Sequence, residues 1–201
     1  MGDLDVEGAV AMMIMRSIPF WIFCAAIGLA QDPKPEAPGE EAQARAEKEI
    51  RDIFKEEYAL KTITAQRKLA TLLLRQGRET KDDASLKYVM FREAADLAGR
   101  SGDIDTLLGS LDAISTSFRI DSLLLSGPFL LKADPAITAP EDLRKLAEAL
   151  LRLAREALAQ DQFDGALKMA QAALGPAKKS KDLGLVVRAD GVAKSVQEAK
   201  T

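Results

Sequence analysis

The sequence predicts an all-α fold, in which about eight antiparallel helices follow an N-terminal leader and a short linker. From about residue 41 the hydrophobic residues keep helical spacing almost without interruption, and no stretch shows the sustained β-branched alternation of a strand. A second observation is that RKLATLLLRQGRE at residues 67–79 returns as RKLAEALLRLARE at residues 144–156, with nine of thirteen positions identical. One helix written twice indicates repeated structural units, although two helices rich in alanine and leucine can also match by chance.

Residues 1–30 are predicted to be a secretory signal peptide. Arg16 precedes an uncharged apolar run at residues 17–30, SIPFWIFCAAIGLA, which ends in small residues, as signal peptides do. The run is shorter than the roughly 20 residues of a membrane-spanning helix, and an uncleaved membrane anchor is the alternative interpretation. Acidic residues upstream of Arg16 are unusual for a leader, so Met1 and Met15 are both candidates for the natural start.

Residues 31–40 are predicted to be a Pro-rich linker, because three prolines within six residues disfavour helix and strand alike. The remaining residues, 41–201, are expected to form the helical-hairpin domain. We expect this domain to be exported to the periplasm or the extracellular space, with no membrane contact after the leader is removed.

The composition argues against several classes of function. The leader carries three acidic residues and one basic residue, so the exported part is close to neutral, and we expect no nucleic-acid partner. The chain contains no histidine, and its one cysteine, Cys24, lies in the leader. The usual nucleophilic triads and zinc sites therefore cannot form. We expect a non-enzymatic protein with no catalytic residue, no cofactor and no metal site.

Several local signals place the helix ends. Asp82, Asp83 and Ser85 offer turn and N-cap chemistry for the third helix. Gly102 is suited to end that helix in the left-handed conformation, and Pro140 suits the first turn of the longest helix. Gly127-Pro128 is expected to interrupt a short helix, and Asp134-Pro135 to stop it. The predicted helices span about 41–60, 63–79, 84–100, 104–117, a short stretch within 119–135, 138–160, 163–175 and 183–198.

Two segments carry small residues at helical spacing before an aspartate-containing turn. The second segment also carries them after the turn, where the first has Leu107 and Leu111. The segments are residues 91–114, FREAADLAGRSGDIDTLLGSLDAI, and residues 151–174, LRLAREALAQDQFDGALKMAQAAL. The matching positions are Ala95, Ala98, Gly102, Asp103, Ile104 and Asp105 in the first segment, and Ala154, Ala157, Asp161, Phe163, Asp164, Ala166, Ala170 and Ala173 in the second. Both segments resemble tetratricopeptide repeats (TPRs), in which small residues let two antiparallel helices approach closely. Asp161 in place of the turn glycine and Ile104 in place of its aromatic residue depart from that pattern.

The resemblance implies a TPR-like α-solenoid, a right-handed stack of helical hairpins that binds a protein partner. Its concave face would include Arg92, Asp96 and Arg155. The repeated motif and the two TPR-like segments disagree on whether the helix at 84–100 opens or closes a hairpin, and both alternatives stay open.

The layout is also similar to N-terminal helical segments of exported bacterial multidomain proteins. The sequence therefore predicts an exported protein–protein interaction scaffold. The alternative is an accessory helical module of an exported multidomain enzyme whose catalytic part is absent from this chain.

Overall fold

Nine α-helices follow one another in the part of the chain that the computed structural model describes, residues 34–200. A 3-10 turn, Asp134–Ala136, separates the sixth from the seventh, and within these residues the only β-structure is an isolated bridge between Glu36 and Arg119. The all-α prediction is thus confirmed, while the predicted leader lies outside the described residues. The helices are α1 (Glu40–Ile53), α2 (Lys55–Ala59), α3 (Ile63–Glu79), α4 (Ala84–Ser101), α5 (Ile104–Ser117), α6 (Ser122–Ala133), α7 (Pro140–Ala159), α8 (Phe163–Lys179) and α9 (Leu183–Lys200).

The predicted interruption at Gly127-Pro128 is wrong, because α6 runs through both residues. A proline inside a helix removes one backbone hydrogen bond, here the bond to the carbonyl of Leu124. Leu124 is 76% exposed, so water can reach that part of the helix. Helix α8 likewise continues through Pro176 to Lys179, beyond the predicted end at residue 175. The predicted first helix, in contrast, is divided at Phe54 into α1 and α2.

Aspartate side chains begin four of the helices. Asp83, Asp103, Asp121 and Asp182 each accept a hydrogen bond from the backbone N–H three residues later, at distances of 2.8–3.1 Å. These bonds satisfy N–H groups that have no partner within the helix. Gly102 ends α4 with a φ of 69°, as its position in the sequence predicted. Local capping therefore determines where most helices start and stop.

The core lies between helices that follow each other in sequence, with α3 packed on α4 and α7 packed on α8. Large aliphatic and aromatic side chains fill it, among them Leu73, Phe91, Ile114 and Leu150. The small residues of the TPR-like segments are also buried, so neighbouring helices can approach closely there. These residues are Ala95, Ala98, Ala154, Ala157, Ala166, Ala170 and Ala173.

The two copies of the repeated motif have similar patterns of burial. At ten of the thirteen aligned positions of 67–79 and 144–156 the degree of burial is the same, and at the other three the second copy is the more buried. Each copy packs on the next helix in the chain and also contacts the helix after that: α3 contacts α4 and α5, and α7 contacts α8 and α9. The motif therefore marks the first helix of two similar groups of three.

The turns inside the two groups make the same hydrogen bonds. Ser101 Oγ donates to the carbonyl of Ala98 at 3.2 Å, and Ser180 Oγ donates to that of Ala177 at 2.8 Å. The aspartates that cap α5 and α9 follow two residues after these serines. This correspondence, with an offset of 79 residues, pairs α4 with α8 and α5 with α9. The repeated motif predicts this pairing of helices. The two TPR-like segments instead predict that α4 corresponds to α7, and the hydrogen bonds of the turns do not favour that alternative.

Residues 34–39 of the predicted linker are not helical, and its last residue, Glu40, already belongs to α1. The non-helical stretch lies along the end of α5 and the connection to α6. Lys34 Nζ donates to the carbonyl of Ser115 at 2.8 Å, and the N–H of Arg119 donates to the carbonyl of Pro35 at 2.8 Å. Arg119 also forms an ion pair with Glu36. These contacts hold the start of the described chain against the helices.

Candidate interaction groove

A groove runs along α7 beside α5, where residues of α6 also line one part and Arg188 of α9 lines another. It consists of two adjoining depressions of about 310 and 330 Å³, which share Leu108 of α5 with Ala149 and Arg152 of α7. We call this surface the interaction groove. Its remaining charged lining residues are Asp112, Lys145, Glu148, Arg155, Glu156 and Arg188.

The sequence of α7 explains why charged side chains line the groove. Its leucines and alanines recur at three- and four-residue spacing and are buried against α8, as Leu146, Leu150 and Ala154 show. The polar residues between them therefore project from the opposite side, which carries Lys145 and Arg152. The groove is thus a direct consequence of the amphipathic pattern of α7.

Some of the basic side chains that line the groove form close ion pairs with acidic residues of this chain, and others do not. Lys145 Nζ donates to both carboxylate oxygens of Asp105 at 2.8 Å, and this hydrogen bonding raises the pKa of Lys145. Arg188 lies 3.6 Å from Glu148, and Arg152 lies 4.0 Å from Glu156, at the limit of an ion pair. Arg155 makes no ion pair with any residue in 34–200. The guanidinium groups of Arg152 and Arg155 are therefore the ones best able to bind a carboxylate.

Of the three residues predicted for the concave face, only Arg155 lines this groove. Arg92 is on α4, where its guanidinium donates to Gln43 Oε1 at 2.6 Å and to Glu47 Oε2 at 3.0 Å. Asp96, also on α4, pairs with Arg100 at 2.5 Å. Arg92 thus joins α4 to α1, and the structure does not bring Arg92 or Asp96 into the groove lining.

Four residues of the groove were not predicted from the sequence as binding residues: Leu108, Lys145, Arg152 and Arg188. Lys145 and Arg152 belong to the repeated motif, so a comparison of the polar positions in its two copies could have drawn attention to them. Leu108 and Arg188 carry no comparable signal, since their place in the groove depends on which helices come together.

A second polar cluster lies between α1, α2 and α4. Tyr58 Oη donates to Glu93 Oε2 at 2.9 Å, and Arg51 lies 3.7 Å from the same oxygen and over the Tyr58 ring. Burial, and then the neighbouring carboxylate of Glu93, raise the pKa of Tyr58 well above its ordinary value. The polar atoms of this cluster contact one another, which makes it a connection between helices.

Residues 34–200 were also searched for metal sites and for membrane-spanning helices. No group of three or more acidic, histidine or cysteine side chains is placed to hold a metal ion in this part of the chain. No helix among the same residues is both long and apolar enough to cross a bilayer.

In comparisons with known proteins, no family model matches the chain, and no curated protein matches it significantly.

Proposed function

We propose that this protein is an exported, non-enzymatic interaction module that binds an extended segment of another protein in the interaction groove. The helices would be antiparallel hairpins stacked as a TPR-like α-solenoid. Two features support this architecture: the buried small residues of the TPR-like segments and the similar burial of the two copies of the repeated motif. Stacked hairpins of this kind form extended binding surfaces.

The observation that carries the proposal is the pair of available guanidinium groups, Arg152 and Arg155, beside Leu108 in an open groove. An apolar centre flanked by arginines is suited to a peptide segment that combines a hydrophobic side chain with carboxylates. Glu148 and Glu156 lie at the same surface and limit how acidic such a segment can be.

The test is affinity capture from an envelope extract with residues 31–201, which include the compact unit Pro33–Thr201. The variant Arg152→Ala/Arg155→Ala is compared with Lys168→Ala/Lys178→Ala, which removes two exposed cations from α8. We expect a partner that is captured by the wild type and the control but reduced at least about tenfold by the groove variant, a difference of about 1.4 kcal/mol. Equal capture by all three proteins would refute the role of the groove.

Export is tested separately by fusing residues 1–40 to a reporter enzyme that is active only outside the cytoplasm. Activity that is lost when charged residues replace part of the apolar run at residues 17–30 supports the signal peptide. A reporter that stays inactive with the natural sequence, from both Met1 and Met15, argues against export.

A further inference from the structure

The outer edge of α3 is uncovered. Lys68 and Arg75 are exposed there, and Leu72 between them is only partly buried. These residues border a shallow depression of about 380 Å³, and a second depression continues from Lys68 and Leu72 towards Leu60 and Ala65. We call the surface formed by Lys68, Leu72 and Arg75 the α3 edge.

The equivalent edge of α7 lies beside α5, and the interaction groove runs between the two helices. In the repeated motif, Lys68, Leu72 and Arg75 align with Lys145, Ala149 and Arg152. These three α7 residues face α5: Lys145 binds Asp105, and Ala149 and Arg152 share both groove depressions with Leu108. Ala149 is 5% exposed, so the second copy of the motif is the more buried at this position. Helix α5 therefore shows which kind of helix can lie beside the equivalent edge of α7.

The helix beside this edge of α7 is α5, which carries two acidic residues with a leucine between them on one side. Asp105, Leu108 and Asp112 stand at positions i, i+3 and i+7 of α5 and therefore share one side of that helix. Asp105 forms the ion pair with Lys145, and Asp112 lines the same depression as Arg152. Asp105 of α5 is thus paired with Lys145 of α7, while Asp112 and Arg152 border the same depression without forming an ion pair.

We propose that the α3 edge binds an amphipathic acidic helix of a partner protein, with two carboxylates and a central leucine spaced as in α5. This inference rests on the proposed function as an interaction module and names a second binding surface. The charges are complementary, since Lys68 and Arg75 make no ion pair with any described residue. The acidic residues in this region, Glu79 at the end of α3 and Glu57 in the adjoining depression, lie beyond the central part of the edge.

A second copy of the chain fits this edge less well. The helix equivalent to α5 is α9, and its residues at the three positions are Gly184, Val187 and Gly191. This side of α9 is open, with Val187 71% exposed, but it presents no carboxylate to Lys68 and Arg75. Charge complementarity therefore favours an acidic helix over self-association.

The experiment uses a synthetic peptide of residues 103–118, capped at both ends, as the acidic helix. Its binding to isotopically labelled residues 31–201 is followed by NMR chemical-shift changes, which detect weak complexes. The edge variant is Lys68→Glu/Arg75→Glu, and the control, with the same change in charge, is Lys168→Glu/Lys178→Glu on α8. A peptide with Asp105→Lys and Asp112→Lys tests whether reversed charges restore binding.

We expect the shift changes to centre on Lys68, Leu72 and Arg75. The edge variant should weaken binding at least about tenfold, or about 1.4 kcal/mol. The control should bind as the wild type does, and the reversed peptide should restore binding to the edge variant.

Failure of the wild type to bind, equal binding by the edge variant, or shifts centred on α7 would each overturn the inference. So would sedimentation that shows self-association abolished by Val187→Glu, because the occupant would then be a second copy. A negative result alongside capture that depends on Arg152 and Arg155 would remove this inference alone and leave the proposed function intact.

Discussion

Gly77 and Phe91 fit against each other where α3 packs on α4. A Cβ atom on Gly77 would lie 2.6 Å from Cε1 of the Phe91 ring, closer than two carbon atoms can approach. The equivalent residues in the second group of helices are Ala154 and Ala170, both fully buried. Where α3 packs on α4, a residue without a side chain therefore faces a large aromatic ring. Where α7 packs on α8, two small alanine side chains take these positions.

Replacement of Gly77 by Ala should destabilise the protein, although alanine is the better helix former. Overpacking costs about 1–3 kcal/mol, whereas the gain in helix propensity is about 1 kcal/mol. We expect a net loss of about 1 kcal/mol in the free energy of unfolding, measured by denaturant titration. Gly191→Ala is the control, because a Cβ there meets no atom within 4 Å, and it should be neutral or stabilising.

A double-mutant cycle tests whether the loss comes from Phe91. Phe91→Leu should cost less in the Gly77→Ala background than in the wild type, since the smaller side chain leaves space for the new methyl group. Additive effects of the two changes would show that the proposed fit between Gly77 and Phe91 is not the cause.

Much of the fold could be predicted because its signals are local. Gly102 was predicted to end its helix, and Asp83 was one of three residues predicted to supply the cap at its start. Both act by hydrogen bonding and backbone conformation within a few residues. The continuation of α6 through Pro128 could not be predicted, since it depends on whether water reaches the backbone that loses its hydrogen bond. The role of Arg92 was equally inaccessible, because Gln43 and Glu47 are more than forty residues away in sequence. The site is therefore less predictable than the fold.

Asp121 should make stability depend on acid pH. Its side chain accepts hydrogen bonds from the N–H of Leu124 at 2.9 Å and from Gln162 Nε2 at 2.7 Å, and these bonds lower its pKa. The stabilisation is then complete above the pKa of the unfolded state, about 4, and is lost as the pH falls through the lower folded-state pKa. Asp121→Ala should cost about 1 kcal/mol at neutral pH.

Asp121→Asn separates the cap from the charge. Asparagine caps helices well, so most of the stability at neutral pH should remain while part of the loss in acid disappears. Denaturant titrations between pH 2.5 and 7 would measure both effects, with Asp52→Asn at an exposed position of α1 as the control for charge. An acid profile that Asp121→Asn leaves unchanged would contradict the prediction.

Tyr58 should make the protein less stable in alkali. Its raised pKa means that the folded state keeps the phenolic proton at a pH where the unfolded state loses it. Stability should therefore fall as the pH rises above about 10, the ordinary pKa of tyrosine. Tyr58→Phe should remove this part of the pH dependence and cost about 1–3 kcal/mol at neutral pH, because the buried carboxylate of Glu93 loses its hydrogen-bond donor.

The other tyrosine supplies the control. Tyr88 is buried with its ring edge against Phe118, at 5.3 Å between ring centroids. Tyr88→Phe keeps this aromatic packing and leaves the bond between Tyr58 and Glu93 intact, so it controls for the removal of a phenol group. If Tyr58→Phe and Tyr88→Phe change the alkaline profile equally, the effect does not come from the bond between Tyr58 and Glu93.

Arg92 is expected to hold α1 on the helical domain. Its guanidinium reaches two side chains of α1, and α1 packs mainly on α4. Because Arg92 is partly exposed, solvent weakens these bonds, and Arg92→Ala should cost about 1 kcal/mol. The cost should appear as faster proteolysis within Glu40–Ile53, since this segment opens more often when its contacts are removed. Arg100→Ala is the control, because Arg100 pairs with Asp96 on its own helix and should leave the cleavage rate unchanged. Wild-type cleavage rates in Arg92→Ala, together with reduced partner capture, would instead place Arg92 at the binding surface.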